Sequence, residues 1–267
     1  MKILLTISCV ILLVGSAFAI DSYVPYEPGV YLQGYPTYMT ASNWYDSDGE
    51  SADMGGTWSL LRFGFEPTYF GMMGDKRWQA SASIPFMSYS PSLGDSKSGL
   101  GDLQLSAAYW VIDDHKKGTY LSVWFWADLP TGGDGLSNDQ MNLRPGLAWA
   151  MEKAPYQFEV SAWYNLRMEN SDTNYKPGNE IWANMTFGYH ANEQMTPGLE
   201  IQTGWGSDDT YSDVTWPDSK TQWFKVGPSL EYNINPKAAF KVEGLYTVMG
   251  KNTTQSIDIG ARVTWAF

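Results

Sequence analysis

The chain has almost no cysteine, and this scarcity excludes disulfides and thiolate metal sites as its means of stabilisation. Its single cysteine, Cys9, lies in a predominantly apolar stretch, residues 3–14, that directly follows Lys2. Small residues come next, which is the pattern of a secretory signal peptide cleaved after Ala19. Removal of that peptide removes Cys9, so the exported chain would hold together without any thiol.

Long apolar runs are lacking in the rest of the sequence, which argues against a membrane helix there. Residues 3–14 are themselves too short for a membrane anchor, because about 20 apolar residues are needed to cross a bilayer. A lipoprotein anchor would need its cysteine after a small residue at the end of the run, whereas Cys9 lies inside it. We therefore predict a signal peptide at residues 1–19 and a single domain at residues 20–267.

Basic residues are scarce too, since Lys and Arg number 17 against 29 Asp and Glu, giving a net charge of −12. This balance excludes nucleic acid as a partner, because nucleic-acid-binding proteins present a basic face. Aromatic residues and glycine are abundant, with 13 Trp, 17 Tyr and 26 Gly. Such an exported chain is typical of outer-membrane β-barrels, in which Trp and Tyr gather in girdles at the two membrane interfaces.

About twelve segments show polar and apolar residues that alternate with a period of two, the pattern of a strand with two different faces. Most are near the ten residues that a tilted strand needs to cross a bilayer. Gly and Pro recur too often for helices. The predicted strands are residues 29–45, 57–70, 77–89, 100–112, 119–129, 142–151, 156–168, 180–190, 195–205, 222–234, 238–249 and 255–267.

The links between these strands alternate in length. The even-to-odd links are short, while most odd-to-even links are long and acidic; only 250–254 breaks the trend. Long extracellular loops and short periplasmic turns are typical of a membrane barrel, and an even strand number lets both termini lie in the periplasm. The predicted long links are residues 46–56, 90–99, 130–141, 169–179 and 206–221.

The alternation also separates the two faces of each strand. Phe158 and Val160, for example, alternate with Glu159 and Ser161. A soluble barrel would turn the apolar set inward, whereas a membrane barrel turns it into lipid and encloses the polar set. The signal peptide, the loop asymmetry and the aromatic strand ends favour the membrane barrel, whose closure leaves no strand edge unpaired in lipid. We predict an all-β fold, a transmembrane antiparallel up-and-down β-barrel of about 12 strands in the bacterial outer membrane.

An apolar outer face places the charged residues of the strands in the lumen. Their mixed signs allow two interpretations, a polar conduit whose charges select solutes or a lumen held closed by ion pairs. Eight strands give an interior filled by side chains and sixteen or more an aqueous channel, so about twelve lies between, and we favour the conduit. The lumen-lining candidates are Arg62, Glu66, Asp102, Arg144, Glu159, Arg167, Glu200, Lys225, Glu231, Lys241, Glu243, Asp258 and Arg262.

Histidine is scarce, which limits the catalytic chemistry that the chain can carry. The 2 histidines, His115 and His190, both map to the short-turn end of the predicted barrel. An outer-membrane lipase or protease would need one near its nucleophile at the loop end. We therefore predict no enzyme, with neither a catalytic nor a metal site. The acidic residues 46–53 lack the spacing of a calcium loop and are interpreted as a hydrated outer loop that attracts divalent cations beside lipopolysaccharide phosphates.

The C-terminal residues continue the strand pattern to the last position. Ile259, Val263, Trp265 and Phe267 fall on one face, which predicts a closing strand that pairs with the first. A terminal Phe with Trp two residues earlier resembles the signal that the barrel assembly machinery reads in bacterial outer-membrane proteins. Trp265 and Phe267 are the candidate assembly signal.

Two stretches resemble a known family. The sequence GLGDLQLSAAYW, residues 99–110, opens the fourth predicted strand with Gly-x-Gly-Asp, and ADLPTGGDGL, residues 127–136, closes the fifth with Leu-Pro-Thr-Gly. This pair is similar to motifs of the outer-membrane family named after the meta-pathway of phenol degradation. The resemblance implies a small transporter-like barrel in the outer membrane. Turn chemistry at the rim of the barrel also explains both motifs without a ligand.

The leading functional hypothesis is a channel for passive passage of small, aromatic or otherwise hydrophobic solutes, with acidic loops that disfavour anions. One alternative is a structural or ligand-binding barrel without transport, and another is an outer-membrane hydrolase. The expected partners are outer-membrane lipid and lipopolysaccharide, the barrel assembly machinery and small-molecule solutes. No cofactor is expected.

Overall fold

The computed structural model describes residues 23–92, 94–133, 135–137 and 139–267. The predicted signal peptide at residues 1–19 lies outside them. Among the described residues, no helix is long and apolar enough to cross a membrane. The strands of these residues are, in chain order, β1 (Gly29–Tyr45), β2 (Ser51–Met73), β3 (Lys76–Pro91), β4 (Lys97–Leu100), β5 (Leu103–Asp114), β6 (Thr119–Leu129), β7 (Asn142–Lys153), β8 (Tyr156–Arg167), β9 (Tyr175–Lys176), β10 (Glu180–Tyr189), β11 (Met195–Gly206), β12 (Thr210–Tyr211), β13 (Val214–Thr215), β14 (Gln222–Asn235), β15 (Ala238–Lys251) and β16 (Thr253–Ala266).

The long strands form one closed antiparallel sheet. Each pairs with the next along the chain, in the order β1, β2, β3, β5, β6, β7, β8, β10, β11, β14, β15 and β16. The short strand β4 pairs with Phe86–Tyr89 of β3, beyond the part of β3 that pairs with β5. The last strand then pairs with the first, from Tyr31 opposite Ala266 to Tyr45 opposite Thr253. Closure gives every strand two neighbours, which is what a sheet needs in lipid. The predicted twelve-stranded up-and-down barrel is confirmed.

The two ends of the barrel differ as predicted. Short turns join β2 to β3, β5 to β6, β7 to β8, β10 to β11 and β14 to β15, and both β1 and β16 have their terminal ends on this side. The opposite end carries the longer links, two of which contribute β9, β12 and β13 to a small separate sheet. We call these the turn end and the loop end.

The largest difference from the predicted strand boundaries is at the start of β2. β2 begins at Ser51 instead of residue 57, because Ser51–Asp53 continue the ladder opposite Asn43–Tyr45 beyond a bulge. The first link therefore shrinks to residues 46–50, in which the Asp46 carboxylate accepts the amides of Asp48 and Glu50, both at 2.9 Å. Short polar and glycine residues at 51–56 hid this strand, since they give no alternation of apolar side chains.

The outward face of the barrel is apolar. Leu61, Phe63 and Phe65 expose 50%, 47% and 50% of their surface, whereas Arg62 and Glu66 on the same strand are buried. The same alternation recurs on β16, where Ile257, Ile259 and Val263 are exposed. An exposed band of this kind around a closed sheet suits lipid, so the polar set faces inward.

Candidate functional site

The lumen contains a segment of the chain itself. Residues 23–28 precede β1 at the turn end and enter the barrel, where Tyr23 is 4% exposed. The Trp110 indole Nε1 donates to the Tyr23 carbonyl over 2.9 Å, and the Tyr23 amide donates to Glu159 Oε1 over 3.2 Å. Because Trp110 and Glu159 lie on β5 and β8, the segment reaches across the interior from where it enters. Sequence reasoning missed this segment, since residues 23–28 carry no periodic pattern.

Arg77 anchors the segment at the turn end. Its Nη1 donates to the carbonyls of Pro25 and Tyr26, at 3.0 and 3.2 Å. Its Nε also donates to Asp113 Oδ2 at 2.8 Å, and His115 Nδ1 lies 3.2 Å from Nη2. A guanidinium that bridges β3, β5 and the segment fixes where the segment enters the barrel.

An aromatic surface faces the segment. Trp110 and Trp124 have ring centroids 5.7 Å apart, Trp124 and Trp163 are 6.0 Å apart, and Trp182 and Trp223 are 6.4 Å apart. These spacings are those of favourable aromatic pairs. The indole nitrogens of Trp124 and Trp163 donate to serine hydroxyls of their own strands, at 2.7 and 3.0 Å, so the rings are held in place. We call the buried inward-facing set Trp110, Trp124, Trp126, Trp163, Trp182 and Trp223 the tryptophan wall.

The tryptophan wall corrects one expectation. Tryptophans were expected in interfacial girdles, but these six point into the lumen and are less than one-tenth exposed. The alternation explains the direction, because Val123 and Phe125 face outward and leave Trp124 and Trp126 on the inner face. The signal was present in the sequence, since Trp163 and Trp182 share a register with Ser161 and Asn184 rather than with the lipid-facing residues.

The predicted lumen-lining residues are almost all buried. Glu231 alone among the thirteen is only half-buried. The buried candidates are Arg62, Glu66, Asp102, Arg144, Glu159, Arg167, Glu200, Lys225, Lys241, Glu243, Asp258 and Arg262. Their role in lining a solute path stays a prediction.

Many of these charges form ion pairs between strands, adjacent ones for Arg144 and Arg167 and ones separated by a single strand for Lys225 and Lys241. Arg144 lies 2.6 Å from Asp128, Arg167 lies 2.7 Å from Glu180, and Lys241 lies 2.7 Å from Glu200. Lys225 pairs in the same way with Asp258. Arg62 donates to the Gln104 side chain over 2.6 Å. These contacts match the second interpretation of the lumen charges, in which ion pairs hold the wall together.

Arg144 also connects the charged and aromatic parts of the lumen. Its guanidinium carbon lies 5.6 Å from the Trp126 ring centroid and 5.7 Å from that of Trp182. Both distances are within cation–π range. The tryptophan wall therefore carries a fixed positive charge at its loop-end margin, balanced by Asp128.

The two sequence motifs meet at the loop end. Asp102, between β4 and β5, accepts hydrogen bonds at Oδ1 from the amides of Thr131 and Gly132, at 3.1 and 3.0 Å, and from the Ser137 hydroxyl at 2.6 Å. The Gly133 amide donates to the Leu100 carbonyl over 2.9 Å. These bonds join the Gly-x-Gly-Asp motif to the Leu-Pro-Thr-Gly motif. They also hold the loop after β6 in an inward-folded position.

That loop places an apolar side chain in the barrel mouth. Leu136 is buried against an apolar cluster on β1, β2 and β3 that includes Met39, Trp58, Leu60 and Met87. The loop after β6 therefore covers this apolar cluster at the mouth of the barrel.

Both histidines lie at the turn end, as predicted. His115 Nε2 is 3.3 Å from Asp113 Oδ1, and the Tyr120 hydroxyl lies 3.1 Å from its Nδ1. His190 Nδ1 is 2.9 Å from the Thr196 hydroxyl. These partners give the histidines structural roles at the turns.

Comparison with known structures places the fold among outer-membrane channels. A crystal structure of an outer membrane channel from Pseudomonas putida F1 matches with a TM-score of 0.84 and 14% identity, over 92% of this chain and 98% of that one. The TodX deltaS2S3 mutant, a monoaromatic hydrocarbon channel, matches with a TM-score of 0.53 and 10% identity, over 95% of each chain. The NanC porin matches with a TM-score of 0.51 and 13% identity, over 88% of this chain and 98% of that one. At these identities the likeness concerns the fold.

Sequence comparison defines the family. No curated protein matches the chain. The family model described as "Putative MetA-pathway of phenol degradation" matches residues 42–263, a span that contains both motifs and every predicted lumen-lining residue. The chain therefore belongs to this family.

Proposed function

We propose that the protein is a bacterial outer-membrane channel through which small aromatic or otherwise hydrophobic solutes cross passively. The observation that carries this proposal is the tryptophan wall, which presents indole faces to the interior of a membrane barrel. An aromatic solute gains favourable ring contacts there, at centroid distances of about 4.5–7 Å. A general porin would instead need a wide aqueous lumen, and this one contains residues 23–28 and paired charges.

Two comparisons support the choice of solute. The family description names phenol degradation, and one of the similar folds is a monoaromatic hydrocarbon channel. The structures named above are channels and porins, which supports a non-enzymatic role. Outer-membrane lipid and lipopolysaccharide around the apolar band are proposed surroundings, and the barrel assembly machinery is the proposed reader of Trp265 and Phe267.

Planar-bilayer recording of the purified, refolded protein tests the channel. We expect a small ionic conductance that changes when phenol is added, because an aromatic solute bound at the indole faces alters the ion path through the lumen. Cyclohexanol is the matched control, since it has a hydroxyl and a six-membered ring but no aromatic face. A complete lack of conductance, or equal effects of phenol and cyclohexanol, would remove the proposal.

A further inference from the structure

The side chain of Tyr23 is a phenol held inside the barrel. Its ring centroid lies 5.8 Å from that of Trp124 at an interplanar angle of 81°, and 6.4 Å from that of Trp163 at 41°. Its hydroxyl donates to Ser161 Oγ over 2.9 Å. The ring is thus enclosed by two indoles of the tryptophan wall, with a hydrogen-bond partner at its polar end.

The barrel wall supplies all of these partners. Trp124 lies on β6, while Ser161 and Trp163 lie on β8. The Trp163 indole nitrogen donates to Ser161 Oγ over 3.0 Å, and the Asn184 amide nitrogen lies 3.3 Å from the same oxygen. Strands fix these groups relative to each other, so the arrangement persists whether or not a ring occupies it.

The ring, in contrast, is delivered by a segment outside the sheet. Residues 23–28 precede β1 and have no ladder pairing with a strand. Their described anchors are side chains of the wall, chiefly Trp110, Glu159 and Arg77. Withdrawal of Tyr23 from the lumen therefore breaks no strand-to-strand hydrogen bond of the barrel.

We propose that Trp124, Trp163 and Ser161 form a binding site for a phenol, and that Tyr23 occupies this site in the absence of solute. This inference rests on the proposed channel function and names its solute class. An incoming phenol takes the place of the Tyr23 ring, makes the same ring contacts and donates to Ser161 in the same way. Displacement moves residues 23–28 out of the solute path, so a solute that binds at this site also opens the path through the lumen.

The orientation of the Tyr23 ring in the site indicates which solute binds best. The hydroxyl points to Ser161 and the opposite ring carbon carries the bond to the chain, so the site accepts a substituent para to the hydroxyl. A small para-substituted phenol fits best. An aromatic hydrocarbon keeps the ring contacts and loses the hydrogen bond.

Binding of 4-fluorophenol, followed by fluorine NMR with the full chain in phospholipid nanodiscs, tests the inference. An internal competitor lowers apparent affinity by the fraction of time that the site is free. We expect Tyr23→Ala to bind 4-fluorophenol at least about ten-fold more tightly than the wild type, as for a site that Tyr23 fills about nine-tenths of the time. Tyr211→Ala, the same change at an exposed residue of β12, should leave the affinity unchanged.

Comparison of 4-fluorophenol with 4-fluorotoluene isolates the hydrogen bond to Ser161. In the Tyr23→Ala background, Ser161→Ala should weaken 4-fluorophenol binding about five-fold, as for one neutral hydrogen bond, and leave 4-fluorotoluene binding unchanged. Trp124→Ala in that background should weaken both ligands. Equal affinities in the wild type and Tyr23→Ala, or no effect of Trp124→Ala, would overturn the inference.

Folding and channel activity are controlled separately. Heat-dependent migration in gels verifies that each variant forms the barrel. If Tyr23→Ala does not, Tyr23→Phe decides, because it keeps the ring and removes only the bond to Ser161; it should raise 4-fluorophenol affinity a few-fold, and no change would overturn the inference. Failure of the site leaves a phenol-sensitive conductance possible elsewhere in the lumen, whereas tight binding without conductance would contradict the channel and not the site.

Discussion

The Gly132 amide donates to Asp102 Oδ1 over 3.0 Å, and this bond links two parts of the chain that the sequence separates by the whole of β5 and β6. The same carboxylate oxygen accepts from Thr131 and Ser137. One side chain thus fixes the inward fold of the loop after β6, and with it the position of Leu136 in the barrel mouth.

Asp102→Ala is therefore expected to release this loop. The amides of Thr131 and Gly132 lose their acceptor, so the loop leaves its inward position and its backbone groups hydrogen-bond to water. Proteolytic cleavage within residues 130–141 should become faster and single-channel conductance larger, while the barrel itself stays folded. Asp95→Ala, a change at an exposed acidic residue of another loop, is the control and should alter neither quantity. Unchanged cleavage in Asp102→Ala would contradict the assigned role.

Two adjacent glycines give a matched steric test of the same contact. A Cβ at Gly132 would lie 2.9 Å from the Gly101 carbonyl carbon and 3.1 Å from the Asp102 amide nitrogen, whereas the nearest atom to a Cβ at Gly133 is the Leu100 carbonyl oxygen at 3.8 Å. Gly132→Ala must therefore move backbone and should open the loop as Asp102→Ala does. Gly133→Ala should behave as wild type in the same cleavage assay. Equal behaviour of the two alanine variants would refute the close packing of the motifs.

Arg77→Ala is expected to free the entry of residues 23–28. It removes the donors to the Pro25 and Tyr26 carbonyls and leaves Asp113 without its guanidinium partner, a loss of about 3–5 kcal/mol for a buried pair. Single-channel conductance should rise several-fold as the segment leaves the lumen. Lys76→Ala is a matched loss of charge on the neighbouring, more exposed residue and should leave conductance unchanged. A conductance in Arg77→Ala equal to that of wild type would show that the segment does not restrict the path.

Trp124→Ala is expected to slow the passage of aromatic solutes. Loss of one aromatic partner costs about 0.5–1.5 kcal/mol, which corresponds to a roughly two- to ten-fold lower affinity for an aromatic ring. Toluene uptake by cells that depend on the variant should fall by that factor. Trp205→Ala removes a tryptophan from the outer face, 49% exposed, and should not affect uptake. The reverse order of effects would place the solute path outside the lumen.

The small sheet at the loop end has its own pH dependence. Burial raises the pKa of Asp209, although Tyr175 and the Gly178 amide donate to its carboxylate at 2.6 and 2.7 Å; nearby Arg167 opposes the rise and Glu180 adds to it. The folded loop therefore binds a proton more tightly than the unfolded loop. Its stability is greatest below the ordinary value of 3.8 and falls as pH rises through the raised pKa.

Hydrogen exchange of residues 206–221 measures this effect. Protection, corrected for intrinsic exchange, should decline in the wild type as pH rises above 3.8 and decline less in Asp209→Asn, because asparagine at this position does not titrate. Asp213→Asn, at an exposed position of the same loop, should retain the wild-type profile. Identical profiles for the wild type and Asp209→Asn would contradict the raised pKa.

The sequence predicts the barrel because lipid imposes one simple pattern on every strand. Leu61, Phe63 and Phe65 alternate with Arg62 and Glu66. This period of two predicts the strand, the face that contacts lipid and the charged residues that point inward. The closing pair of β1 and β16 follows from the need to leave no open edge. The start of β2 could not be predicted, because Ser51–Asp53 pair with β1 through backbone groups and their side chains give no alternating apolar pattern.

The contents of the lumen are harder to predict than its wall. Trp124 and Trp163 could be assigned to the inner face by register, but their contact depends on the distance between β6 and β8 across the curved sheet. The position of Tyr23 depends on an irregular segment before β1 and on Arg77 of β3, which holds that segment through two of its carbonyls. Asp102 and Gly132 belong to motifs visible in the sequence, yet only the folded chain brings the motifs together.

Uptake of radiolabelled toluene by bacteria with an intact outer membrane tests the central claim most directly. Cells that lack the gene are compared with the same cells carrying the wild-type gene, with labelled arabinose as a polar solute in parallel. The account predicts that the gene raises the initial rate for toluene and changes the rate for arabinose little. Equal toluene rates with and without the gene, in cells whose membranes contain the folded barrel, would contradict it.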